Sequence, residues 1–306
     1  MSRFTLALLF TLTACAPVIP TLPASTVAAT PRTARAVQLC VLTQESGVRA
    51  RFNGVDEWST EPWQYAIASV AVKHPSAGWL IIDPAFGKSI ADDLARAGPI
   101  FMGIMGDAHT KQPLVDVMTN AGLSPSDVQY AVITHAHWDH TGALGDLPNA
   151  KVLLPRTEME WTGPFKGFFD HGVMTHHLRR AKEHLFVYDF KGPALDGFDK
   201  SYDLFGDGSV VAVPLPGHTP GSVGILVRGP EGVTYLFSGD TTWTSRGVEK
   251  PAHKMARAFD EDLDVLSQSI ARLHAFSEYR PDVKVIPAHD GAALGLLPPC
   301  SAVIPH

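Results

Sequence analysis

Residues 134–142 read Thr-His-Ala-His-Trp-Asp-His-Thr-Gly, so His135, His137, Asp139 and His140 fall within six consecutive positions. They directly follow 128–133, a short, largely apolar and β-branched run that reads as a buried strand. A strand ending in closely spaced His and Asp delivers ligands from one rigid edge, which is what a metal site requires. Alternation would put His135 and His137 on one side, while the following turn swings Asp139 and His140 towards a second point. One short loop can therefore serve two metals. The competing reading, a surface turn with chance histidines, fits poorly with two imidazoles at i and i+2 followed by Asp-His.

The same pattern recurs further along. The strand-like run 210–214 leads into Gly217-His218-Thr219-Pro220-Gly221, whose glycines and proline fix a tight turn around one imidazole. Run 234–237 ends in Ser238-Gly239-Asp240, and run 283–286 ends in Pro287-Ala288-His289-Asp290. Runs 67–72 and 79–82 form a predicted hairpin, and the second ends at Asp83. An acid just after a buried strand is costly unless paired. Asp83 therefore either orients a metal-bound histidine from behind or starts a plain turn. Strands are also expected at 38–43, 152–154 and 223–227. Helices are expected at 89–97, 110–121, 156–161 and 263–276. Packing against the first sheet is the favoured role for Trp58 and Trp63, with lining of the site mouth the alternative.

Composition narrows the class. The 306 residues are 45% hydrophobic and 18% charged, enough for one large domain or two small ones. Net charge is −6 and the longest basic run is Arg179-Arg180, so nucleic acid is disfavoured and a small-molecule substrate favoured. With 26 Gly and 24 Pro the chain is rich in turns, unlike a helical bundle. Segment 163–172, which holds Phe165, Phe168 and Phe169, has neither helical nor strand period. It is either a mobile wall of a substrate pocket or an ordinary packed excursion. His176-His177, beside Arg179 and Arg180, reads as a solvated helical face in preference to a third metal site.

Seven groups thus converge: His135, His137, Asp139, His140, His218, Asp240 and His289. In this the chain resembles the metallo-β-lactamase superfamily, whose signature is His-x-His-x-Asp-His with a later His, Asp and His. The resemblance implies an α/β fold, a four-layer αββα sandwich with the site at one edge of two sheets. It also implies two zinc ions. His135, His137 and His218 would hold one, Asp139, His140 and His289 the other, and Asp240 would bridge them. Iron, manganese or cobalt suit the same donors. Two such metals acidify a shared water and stabilise opposite charges along a reaction path. Hydroxide would attack a carbonyl, with Asp139 placed to handle a proton.

A narrower likeness is to N-acyl-homoserine lactonases, through 154–160 (Leu-Pro-Arg-Thr-Glu-Met-Glu), Phe259-Asp260 and Ala288-His289-Asp290. Those enzymes place a tyrosine three residues after the bridging acid; here Trp243 stands there, whose indole N–H donates a hydrogen bond but is no acid. Lactone or ester hydrolysis is the leading expectation, with β-lactam, thioester and phosphoester hydrolysis as alternatives. A non-catalytic metal-binding lipoprotein and a flavodiiron-type redox enzyme are the rival classes. The second would want more carboxylate ligands and a flavin domain.

The N-terminus has a short basic start, an apolar core over 4–12 and then Leu12-Thr13-Ala14-Cys15, which resembles the lipobox of bacterial lipoproteins. The core is too short for a stable membrane anchor. Residues 1–15 are thus expected to be a lipoprotein signal with lipid on Cys15. Residues 16–36, rich in Pro, Thr and Ala, would be a flexible tether, and 37–306 the hydrolase domain. Export to the envelope follows, with membrane contact only through the lipid; Ala16 after the cysteine points to the outer membrane. The other two cysteines, Cys40 and Cys300, are either a disulfide joining the ends of the domain or two separate thiols.

Overall fold

Strands buried on both faces need a layer on each side, and the burial pattern shows how this chain supplies them. The computed structural model describes residues 17–22, 36–50, 54–55, 59–99, 101–102 and 110–304. Strands β1 (Gln38–Ala50), β2 (Pro62–His74), β3 (Gly78–Ile82), β4 (Val128–Val132), β5 (Lys151–Pro155), β6 (Phe169–Asp170), β7 (Val173–Met174) and β8 (Leu185–Tyr188) occupy the first part of the chain. All but the β6–β7 pair form one sheet in the order β1-β2-β3-β4-β5-β8. The second sheet holds β9 (Tyr202–Asp203), β10 (Val210–Pro214), β11 (Val223–Arg228), β12 (Thr234–Phe237) and β13 (Val283–Ile286), in the order β13-β12-β11-β10-β9.

Period-two alternation assigns the faces. Leu80, Ile82, Val132 and Leu153 of the first sheet meet Val210, Ala212, Ile225 and Phe237 of the second. Their neighbours Ile81, Ala131, Val152 and Leu154 point the other way, onto Leu114 and Met118 of the helix Leu114–Asn120. On the far side Leu273 and Phe276 of the helix Leu263–Tyr279 cover Val211, Val213, Leu226 and Leu236. The result is the expected four-layer αββα sandwich. Each fully buried Leu, Val, Ile or Phe contributes roughly 1.5–3 kcal/mol.

Register decides where the chain leaves the sheets. Strands β3, β4 and β5 run parallel, with Ile82 beside Val132, and Asp83 donates its N–H to Val132 O at 2.9 Å. Strands β12 and β13 are also parallel, with Phe237 beside Ile286. Asp240 and His289 each follow three residues later, so they emerge side by side at the same edge.

Some expectations are corrected. The helix expected over 110–121 begins only at Leu114. Before it, Gln112 donates its N–H to Gln44 O and Pro113 stands at the cap, so the preceding backbone serves β1 instead. His176 and His177 do lie on a helix, Thr175–Arg180, but His177 is 1% exposed, so this is not a solvated face. Cys40 and Cys300 are bonded, with Cα atoms 4.8 Å apart. Trp63 packs: its indole N–H donates to Ala50 O at 3.1 Å and its ring meets Tyr65 edge-on. Trp58, Cys15, the signal 1–15 and most of the tether 16–36 lie outside the described residues. No helix among the described residues is long and apolar enough to cross a membrane.

Candidate metal centre

All seven sequence-predicted ligand residues meet at the edge where the strands end. Strand β4 stops at Val132, so His135 and His137 sit on a turn beyond it, and the turn separates the two groups of ligands where alternation had been expected to. Ligand atoms of His135, His137 and His218 lie within 4.8 Å of one another, as do those of Asp139, His140 and His289, and those of His135, His140 and Asp240. Asp240 lies between the clusters: Oδ2 is 3.5 Å from His218 Nε2, while Oδ1 is 3.1 Å from His289 Nε2 and 3.4 Å from His140 Nε2. The five histidines and Asp240 are buried; the Asp139 side chain stays 15% exposed at the mouth.

Partners behind the ring fix which nitrogen faces inward. Asp83 Oδ2 accepts from His140 Nδ1 at 2.9 Å, and the same carboxylate accepts the Thr134 N–H at 2.6 Å and hydroxyl at 2.8 Å. It therefore takes the orienting role, and not that of an isolated turn residue. Asp260 Oδ1 likewise accepts from His218 Nδ1 at 2.7 Å and is paired with Lys254, whose ammonium also donates to Asp240 O. With Nδ1 donating outward, each Nε2 turns a lone pair into the pocket.

Electrostatics sort the imidazoles. Burial, with the neighbouring histidines, holds His135 and His137 well below the ordinary histidine range; burial and Lys254 lower His218. Burial opposes charge on His140 and His289 too, but Asp83, Asp139 and Asp240 raise the first and Asp240 the second. Burial pushes Asp240 up, yet His289 and His140 hold its carboxyl well below the usual range.

These residues fit a bound cation. His135 Nε2 and His218 Nε2 face each other at 3.1 Å, and both imidazoles are held neutral. His137 Nε2 is buried without a hydrogen-bond partner. Inward-facing lone pairs without donors are costly in a buried pocket, and a Lewis acid among them removes the cost. Neutral imidazole with carboxylate suits zinc and its neighbours.

Local backbone explains the convergence. Gly217 has φ +123°, and a Cβ there would lie 2.3 Å from Leu266 N, so only glycine lets the His218 turn dock on the helix Leu263–Tyr279. Gly172, at φ +76°, packs so closely on His137 that a Cβ would approach its ring to 2.7 Å, and its carbonyl accepts the Trp138 N–H at 3.0 Å. Segment 163–172 is thus a wall of the site at its glycine end. Its three phenylalanines diverge, however. Phe165 stacks with His171 and meets Trp161 edge-on, whereas Phe168 stacks on His176 and Phe169 packs on Phe101. Trp243 lies edge-on to His289, and its indole N–H donates to Asp240 Oδ2 at 2.7 Å, directed at the carboxylate between the two clusters.

Several residues at the site carried no assigned role in the sequence reading. Glu158, 0% exposed, accepts the Ala136 N–H (2.7 Å), the Thr219 hydroxyl (2.8 Å) and the Gly221 N–H (3.0 Å), and so ties the His135–His137 turn to the His218 turn. Burial pushes its carboxyl up to about 7 against these hydrogen bonds. The signal for it was an acid on the inward stripe that it shares with Thr162 on the helix Arg156–Thr162. Tyr65 stacks on His289 at 5.7 Å, and burial with Glu45 and Asp139 keeps its phenol protonated. Nothing local marks Tyr65, since only the strand pairing carries it to the site.

Fold and site together define a class: this chain belongs to the metallo-beta-lactamase superfamily, whose family model matches residues 64–289, and it is a metal-dependent hydrolase of that superfamily. Among curated relatives it is similar to the N-acyl homoserine lactonase AttM of Rhizobium radiobacter, 32% identical over 78% of this chain and 84% of the relative. The AttM protein of Agrobacterium fabrum is 29% identical over the same shares. A solved N-acyl homoserine lactone hydrolase, with the product N-hexanoyl-L-homoserine at its catalytic metal centre, shares the fold: TM-score 0.63, 16% identity, covering 87% of this chain and 98% of that one.

Proposed function

We propose that the chain is a dinuclear zinc hydrolase that opens a lactone or ester carbonyl, with N-acyl homoserine lactones as the leading substrates. The observation that carries the reading is Asp240, one carboxylate with an oxygen towards each histidine cluster. The lactonase names of the curated relatives support the substrate class. His135, His137 and His218 would hold one ion, Asp139, His140 and His289 the other, with Asp240 between them. Ions held there would supply Lewis acidity for a carbonyl and for an attacking water. Asp260 and Asp83 aim His218 and His140, the Trp243 N–H restrains Asp240, and Glu158 locks the two ligand turns together. Asp139, the most open of the carboxylates, is placed to take a proton from water and return it to the departing alkoxide.

The test is hydrolysis by zinc-loaded mature protein of short- and long-chain acyl-homoserine lactones beside an aryl ester, a cephalosporin and a phosphodiester. Lactone turnover that disappears in Asp240→Ala protein of unchanged circular dichroism is expected. Cephalosporin or phosphodiester turnover without lactone turnover would refute the substrate class. The proposal extends to export, with residues 1–15 as a lipoprotein signal, Cys15 acylated and 16–36 a tether. The Cys40–Cys300 bond, which suits an oxidising compartment, supports it. Cys15→Ser protein should leave the membrane fraction; its retention there would count against lipidation.

A further inference from the structure

A second set of metal-ligating side chains lies outside the seven. Asp93, on the helix Ile90–Ala97, faces His176 and His177, on the helix Thr175–Arg180, and their ligand atoms lie within 4.8 Å of one another. Asp93 Oδ1 is 2.8 Å from His176 Nε2, and Oδ2 is 3.2 Å from His177 Nε2. Asp93 and His177 are buried, and the His176 side chain is 17% exposed.

Two observations set this cluster apart from an ordinary histidine–carboxylate pair. Both ring nitrogens of His176 are enclosed without a hydrogen-bond partner, although a carboxylate oxygen lies near one of them. Thr141 Oγ1 then selects the tautomer of His177. It lies 2.9 Å from His137 O and 3.0 Å from His177 Nδ1, and it has a single hydrogen. When that hydrogen goes to the carbonyl, Nδ1–H donates to Thr141 and the Nε2 lone pair faces Asp93.

We propose that Asp93, His176 and His177 form a third, mononuclear zinc site, separate from the catalytic cluster, that anchors the segment walling the active site. Two imidazoles and one carboxylate are a common zinc donor set. Arg180 and Arg96 are close, Arg180 donating to Ser89 Oγ and Arg96 lying over the Phe168 ring, so this ion is held more weakly than one among the catalytic carboxylates. The anchoring is structural. Phe168 stacks on His176, the helix Thr175–Arg180 follows segment 163–172 after only the two residues of β7, and Thr141 joins His177 to the carbonyl of His137.

The experiment counts zinc per chain by mass spectrometry after dialysis of mature protein against micromolar free zinc, in wild type and in His176→Gln. The variant should hold one ion fewer than wild type. Equal counts in two folded proteins would overturn the site. Because the readout is a difference, it stands whether or not the catalytic cluster holds two ions; the same count in Asp240→Ala protein tests that cluster separately. Should His176→Gln fail to fold, anomalous scattering at the zinc edge from wild-type crystals decides. A peak about 2.0–2.1 Å from the two imidazole nitrogens supports the proposal, and none at that position overturns it.

Discussion

Replacing Glu158 by glutamine removes a charge from the joint between two ligand-bearing turns while keeping its shape. Glu158 accepts three hydrogen bonds, one on Oε1 from Ala136 and two on Oε2 from Thr219 and Gly221. A glutamine whose carbonyl keeps the Oε2 pair must set its amide N–H₂ against the Ala136 N–H. The unpaired buried donor costs about 1–3 kcal/mol at every pH. Against this stands the charge itself. Burial raises the carboxyl from an ordinary 4.5 to about 7, so the folded chain holds the proton more tightly than the unfolded chain. Wild-type stability from this group is therefore complete below about 4.5 and is lost as pH rises to about 7. The full loss is about 3 kcal/mol, of which about 2.5 falls between pH 5 and pH 8. Glutamine has no such slope. Urea unfolding of both proteins in chelator, at pH 5 and pH 8, reads the difference directly, because titration of every other group cancels. Wild type should lead at pH 5, and its lead should shrink by about 2.5 kcal/mol at pH 8, closing or reversing. A gap constant to about 0.5 kcal/mol would refute the reasoning, and would mean that the three donors keep Glu158 ionised throughout.

Other perturbations probe the shell and the frame. Asp83→Asn keeps the side-chain shape at a left-handed backbone position (φ 49°) but sets an amide N–H₂ or a weaker acceptor against His140 Nδ1. Zinc affinity of the cluster should fall about 10–100-fold, read by competition with a chromogenic chelator; unchanged affinity would show that Asp83 does not orient His140. Cys300→Ser opens a bond between residues 260 apart in sequence. Chain entropy sets an upper bound of about 5.6 kcal/mol, and a loss of about 2–5 kcal/mol in denaturant unfolding is expected. A loss under about 1 kcal/mol would mean that the contact between β1 and the chain around Pro298 already confines the C-terminus.

Much of the site was legible because its chemistry is local. His135, His137, Asp139 and His140 occupy one loop, and the rest of the ligand set repeats the pattern of an apolar strand, a small turn residue and then His or Asp. Strand positions were legible for a related reason, since two-sided burial leaves continuous apolar runs such as 210–213 and 234–237. What sequence alone could not reach depends on neighbours distant along the chain. His176-His177 beside two arginines looks solvated, and only the approach of the helix Ile90–Ala97 buries it against Asp93. Glu158 looks like one acid among several on a short helix until Ala136, Thr219 and Gly221 arrive with three donors. Tyr65 reaches His289 only through the pairing that brings β2 beside the end of β13 at one edge. The kinds of ligand, their order and their supporting strands are thus written in the one-dimensional pattern. Which nitrogen faces inward, which carboxylate stands behind it and which histidines are buried come from the packed structure, because hydrogen bonding and burial act through space.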